Sequence, residues 1–84
     1  MSELLKNNLN PKATYKLTKI KVKNEDSRFF SPGDEYTGTG ATMYGQNLLV
    51  GDVMTSPVVA VTQYGGDNFL VETKNSVYSL ELMK

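Results

Sequence analysis

The side chains with which this chain could do chemistry are carboxylates, lysines, tyrosines, serines and threonines, because it contains neither His nor Cys. The missing thiols exclude disulfides, zinc–thiolate sites, iron–sulfur clusters and cysteine nucleophiles. The missing imidazoles exclude triads, histidine bases and histidine metal sites. Two acidic pairs remain, Glu25 with Asp26 and Asp34 with Glu35, on either side of Phe29-Phe30. Paired carboxylates can do acid–base work or hold a hard cation. Adjacent residues of an extended chain, however, point to opposite faces, and the alternating Asp spacing of a calcium loop is absent. The pairs read as a solvated acidic loop, and no enzymatic activity, metal or cofactor is expected.

The stretch Thr37-Gly38-Thr39-Gly40-Ala41-Thr42-Met43-Tyr44-Gly45 invites comparison with phosphate-cradling loops. Neither the G-x-G-x-x-G spacing nor a following Lys-Ser or Lys-Thr is present, so it reads as a flexible loop or a glycine-bent strand. An oligomeric sponge for a nucleotide-like ligand, built from the loops Gly38 to Gly45, is an alternative that these residues leave open.

Lys12, Lys16, Lys19, Lys21 and Lys23 hold five of the nine basic residues, with Lys19, Lys21 and Lys23 on one face if the strand keeps period two. With nearby aromatic rings, that ridge would suit single-stranded nucleic acid, whose phosphates meet cations and whose bases stack on rings. The chain has one Arg and a net charge of zero, which weakens any hold on a polyanion. Lysines that protect an edge strand from unwanted pairing are the favoured reading.

The strongest hint of a binding site is aromatic. Phe29 and Phe30 are consecutive, so in an extended segment both cannot point inward, and one is expected at a surface or interface. The predicted partner-binding set is Phe29, Phe30, Asp34, Glu35, Tyr36 and Tyr44, all within a long excursion over residues 24–47.

These residues must be positioned by a small β structure. Residues 1–11 are predicted to form a short helical extension, capped by Ser2, carrying Leu4, Leu5 and Leu9, and stopped by Pro11. So short a helix is not stable alone, and either docks its leucines or frays. Residues 12–84 form the single domain. Its first strand, Ala13 to Lys23, has Tyr15 and Leu17 in one phase and Ile20 and Val22 in the other, which predicts a bulge or bend near Thr18-Lys19. Leu48-Leu49-Val50 starts a buried strand, with Gly51-Asp52 a turn or bulge after it. Further on, Val58 to Thr62 runs into a hairpin at Tyr64-Gly65-Gly66-Asp67-Asn68. Phe69, Val71 and Thr73 then alternate, as do Tyr78, Leu80 and Leu82 after a short turn at Lys74-Asn75-Ser76.

Thr55-Ser56-Pro57-Val58 and Val71-Glu72-Thr73-Lys74-Asn75-Ser76-Val77-Tyr78 resemble the corresponding stretches of small SH3-like barrel proteins encoded by bacteriophages and prophages. The resemblance spans residues 55–82. It implies an SH3-like or related, partly open barrel of five to six strands, and a role as an adaptor, a virion component or an inhibitor of host machinery. It also implies that Tyr36 and Tyr44 line the groove such domains use for peptides.

The chain's 84 residues permit one modest core, with roughly 60% of the unfolded surface buried, so association of chains would add stability. The longest apolar run, Val58 to Val61, is far too short for a membrane span. The N-terminus lacks a secretory pattern, and Met1 with no tag reads as the start of a complete chain. An untethered domain without disulfides is expected in the cytoplasm, here that of a bacterial host. The net charge of zero conceals a polarity, with residues 1–23 at +5 and residues 24–84 at −5. Either two charged faces steer a partner or a second copy, or the first strand pairs internally with the acidic segments. The sequence is thus read as a non-enzymatic protein-interaction module whose partner is a bacterial host or phage protein. The alternatives are a nucleic-acid binder, a ligand sponge and a virion subunit.

Overall fold

The computed structural model describes residues 3–23 and 31–83. A short helix α1 (Glu3–Asn8) precedes seven strands. These are β1 (Thr14–Val22), β2 (Glu35–Thr39), β3 (Ala41–Tyr44), β4 (Asn47–Val50), β5 (Val53–Tyr64), β6 (Asn68–Thr73) and β7 (Ser76–Leu82). They form one sheet of order β2-β1-β7-β6-β5-β4-β3, with every neighbouring pair antiparallel. The two end strands, β2 and β3, are consecutive in the chain with only Gly40 between them. A sheet whose ends are joined by one residue must curl, and the result is an all-β half-barrel.

Gly40 is where the chain changes neighbours. Its N–H donates to the Ala13 carbonyl, beside β1, at 2.7 Å, while its own carbonyl accepts from the Gly51 N–H, beyond β4, at 2.9 Å. Turning the two groups to opposite sides requires φ of +89°, which glycine adopts without the steric cost of a Cβ. β5 makes the opposite crossing, leaving β4 and joining β6 around Pro57 and Val58. A proline is tolerated there because the ladder changes partners at that point.

The expected five to six strands are therefore seven. The excess arises in residues 35–50, where the bend at Gly40 and the two-residue turn Gly45-Gln46 divide the excursion into β2 and the β3–β4 hairpin. Residues 24–30, with Glu25, Asp26, Phe29 and Phe30, lie outside the described residues.

The core consists of Leu5, Tyr15, Leu17, Ala41, Leu48, Val50, Val58, Phe69, Val71, Tyr78 and Leu80. Each large apolar member stabilises the fold by about 1.5–3 kcal/mol relative to an exposed position. Leu5 is fully buried, with Leu9 packed against the cluster, so α1 docks rather than standing off the sheet. The chain after α1 continues the cover, since Asn10 accepts from the Ala41 N–H at 3.2 Å and Asn10 N–H donates to the Tyr15 hydroxyl at 3.0 Å. No helix among the described residues is long and apolar enough to cross a membrane.

The phase slip in β1 lies one residue later than expected. Tyr15, Leu17 and Lys19 are buried in turn, and the register against β7 shifts between Lys19 and Lys21, leaving Ile20 about half exposed.

Candidate interaction surface

Strand alternation fixes which residues of β3 and β4 face outward. Ala41, Leu48 and Val50 are in the core and Met43 packs against it, so Thr42, Tyr44, Asn47 and Leu49 point to the other side. In β5, Val53 packs on the core and Thr55 is buried, so Met54 points out. The register then aligns Thr42, Leu49 and Met54 in one row, with Tyr44 opposite Asn47 in the next. Tyr44 is 69% exposed and Met54 46%, the first of these being the largest exposure among the bulky apolar side chains described. The segment that forms it is nearly uncharged, since Asp52 is the one charged residue from Tyr36 to Gly66. Tyr and Met with few charges is the composition of interface centres.

The base of this surface is held by side-chain bonds. The Thr55 hydroxyl accepts from the Leu48 N–H at 3.2 Å and donates to the Ser56 carbonyl at 2.8 Å, and the Asn47 amide donates to the Thr55 carbonyl at 2.9 Å. These bonds stitch the irregular register between β4 and β5.

Of the aromatic and acidic residues singled out above that are among the described residues, Tyr44 alone lies on this surface. Tyr36 is half-buried, accepts from the Asp52 N–H at 3.1 Å and packs its ring where side chains at Gly38 or Gly51 would sit. Its groove with Tyr44 is absent, because Tyr36 turns inward on β2 and Tyr44 outward at the far end of β3. Asp34 builds a turn, with its carboxylate accepting from the Ser31 N–H at 2.9 Å and its carbonyl from the Lys19 N–H at 3.0 Å. Glu35 faces Lys16 at 3.8 Å.

Lys19, Lys21 and Lys23 do not share a face. The bulge at Ile20 separates Lys19 from the other two, and Lys19 is fully buried with its ammonium 5.6 Å from the centre of the Tyr78 ring. Lys21 is exposed, while Lys23 pairs with Glu72 at 2.5 Å and donates to the Thr73 carbonyl at 3.1 Å. Lys16 lies between Glu35 and Glu81, the latter at 3.5 Å. The basic first strand thus meets acidic segments of its own chain. The glycine stretch is equally occupied, since Gly38 and Gly40 belong to the bent β2–β3 path and both main-chain polar groups of Gly40 are bonded. No cluster of three or more acidic side chains able to hold a metal occurs among the described residues.

Burial pushes the Lys19 pKa below the ordinary lysine value of 10.5, with the Asp34 charge acting in the other direction. A base whose folded pKa is lowered is less protonated in the folded than in the unfolded chain, so stability rises with pH through the window below 10.5. The difference in urea midpoint between wild type and Lys19→Met is expected to move in favour of wild type from pH 7 to about 9.5, before tyrosines ionise. A difference that stays flat over that range would show that burial of the charge does not cost stability.

Leu49 and Met54 were not anticipated as surface residues. The signal that could have found them is the run of 31 residues with a single charge, since a charge-poor stretch that alternates must put apolar residues on both faces. Comparison of the chain with protein families, with curated proteins and with solved structures found no match.

Proposed function

We propose that this chain is a non-enzymatic protein-interaction module, an adaptor or inhibitor acting on a bacterial host protein, with an SH3-like half-barrel of the phage-encoded kind as its scaffold. The observation that carries this reading is the outward face of β3, β4 and β5, where Tyr44, Leu49 and Met54 share one side of a segment that holds a single charged residue. Tyr44 is the anchor, an amphipathic ring that can fill a pocket on a partner while its hydroxyl bonds at the rim. The resemblance of residues 55–82 to phage barrels supplies the bacterial setting and a cytoplasmic site of action. The internal pairing of Lys16 and Lys23 favours this surface over the basic strand as the place of contact.

Tyr44→Ser combined with Met54→Ser is expected to leave the circular dichroism spectrum and melting temperature within a few degrees of wild type. Both residues are exposed, and truncating two contact residues near an interface centre weakens binding by about 100-fold or more. The check is affinity capture from bacterial lysate followed by titration of the purified captured protein with both chains. Equal affinity for wild type and the folded double variant rejects this face.

A further inference from the structure

The sheet has two end strands, and each has one side with no neighbouring strand. One is covered. β3 is four residues long, α1 packs along it, and the Ala41 N–H is taken by Asn10. At β2 the turn Gly51-Asp52 lies against Tyr36 and Gly38, but no main-chain partner on the side away from β1 is found for Glu35, Thr37 or Thr39 among the described residues. Strand alternation tells which of its groups are unpaired. The Asp34 carbonyl and the Gly40 N–H are turned toward β1 and its approach, so the main-chain groups of Tyr36 and Gly38 are too, and those of Glu35, Thr37 and Thr39 are turned away. The side chains of these three residues are exposed. Edges left in this state are usually guarded by Lys, Pro or an inward charge. β2 has only Glu35, whose carboxylate lies toward Lys16 on β1.

We infer that β2 is an assembly edge whose occupant is the β2 strand of a second copy, paired antiparallel about a two-fold axis at Thr37. The segment Glu35-Tyr36-Thr37-Gly38-Thr39 is complementary to itself in this register. Thr37 faces Thr37 of the second copy, a favourable cross-strand pair, and Glu35 faces Thr39. The two Glu35 residues then lie about 13 Å apart along the strands, so like charges do not oppose one another. Tyr36 falls opposite Gly38, each ring staying over the Gly38 of its own copy, where no Cβ stands in its way. All three outward positions of each copy are hydrogen-bonded, whereas a register centred on Tyr36 would use only Glu35 and Thr37. The same surface meets itself, which gives a closed dimer rather than a fibre. A core of this size gains stability from such an association.

Sedimentation equilibrium across a concentration series tests this. The wild-type chain is expected at twice its 9.3 kDa mass at high concentration. Thr37→Pro removes the donor at the two-fold axis without touching the ladder to β1, and Thr37→Lys sets two ammonium groups against each other there. Each is expected to raise the dimer dissociation constant at least tenfold, with the lysine variant partly recovering in high salt. A wild-type chain that remains monomeric at millimolar concentration overturns the inference, as does dimerisation of Thr37→Lys at wild-type affinity. A monomeric wild type that loses a different protein upon Thr37→Pro also overturns it, and assigns the edge to that protein.

Discussion

Gly40→Ala is expected to destabilise the protein by about 3 kcal/mol or more, the largest effect of any methyl-sized change considered for this chain. Two costs act together. The backbone at this residue has φ of +89°, where an L side chain costs about 1–2 kcal/mol. A Cβ there would also sit 2.5 Å from the Pro11 carbonyl oxygen, a main-chain atom with no rotamer to escape into. Relieving that contact means moving the segment whose carbonyls at Asn10 and Ala13 accept from Ala41 and Gly40. Both ends of the sheet would loosen at once. Thermal denaturation should show a melting temperature lower by more than about 12 °C for a chain of this length. Gly66→Ala separates the two costs, because that residue has φ of +81° with nothing within 4 Å of the new carbon. It is expected to lose only the conformational part. Equal losses for both variants would mean that the close approach of Pro11 to Gly40 contributes nothing.

The second large effect is expected from Leu5→Ala, at about 2–4 kcal/mol. A six-residue helix cannot persist by its own hydrogen bonds, so α1 depends on what it buries, and Leu5 is fully buried. Truncating it leaves a cavity beside β3 and weakens the cover over that strand's free side. A second measurement distinguishes this from a general loss of stability. Hydrogen exchange at the Ala41 amide, which donates to Asn10, should accelerate more than exchange at amides of β6 and β7. An unchanged rate at Ala41 in a variant with wild-type stability would remove α1 from the structural account.

These two residues also mark how far the sequence could be read. β6 and β7 were legible because Phe69, Val71, Thr73 and Tyr78, Leu80 alternate without interruption, and those residues are indeed buried. The docking of α1 was open, since Leu4, Leu5 and Leu9 suit either a docked or a frayed segment and only a tertiary neighbour decides. The path through Gly40 was less legible still. A glycine marks a bend, but the handover from one neighbouring strand to another depends on Ala13 and Gly51, far away in sequence. Lys19 misled for a related reason. Its period-two spacing with Lys21 and Lys23 suggested a ridge, whereas the bulge at Ile20 broke the phase and left a lysine over Tyr78. Of the predicted contact residues, Tyr44 was legible as exposed. Met54 was not, because its outward direction follows from Val53 and Thr55 facing the core rather than from any local signal.

The position of β1 between β2 and β7 bears on how the chain comes to be folded. Leu17 pairs with Leu80 and Lys16 with Glu81, partners more than sixty residues later in the chain. During synthesis, the side of β1 that pairs with β7 must wait until β7 has emerged, while β1–β2 and the β3–β4 and β5–β6 hairpins can form from nearer residues. Such distant pairing slows folding, because the entropy of closing the long loop is lost before the contact is made. Through that interval, the lysines of β1, and Lys23 just beyond it, supply the like charge that keeps unpaired copies of the strand from aggregating. The cations that end as partners of Glu35, Glu81 and Glu72 thus serve the nascent chain before those partners are in place.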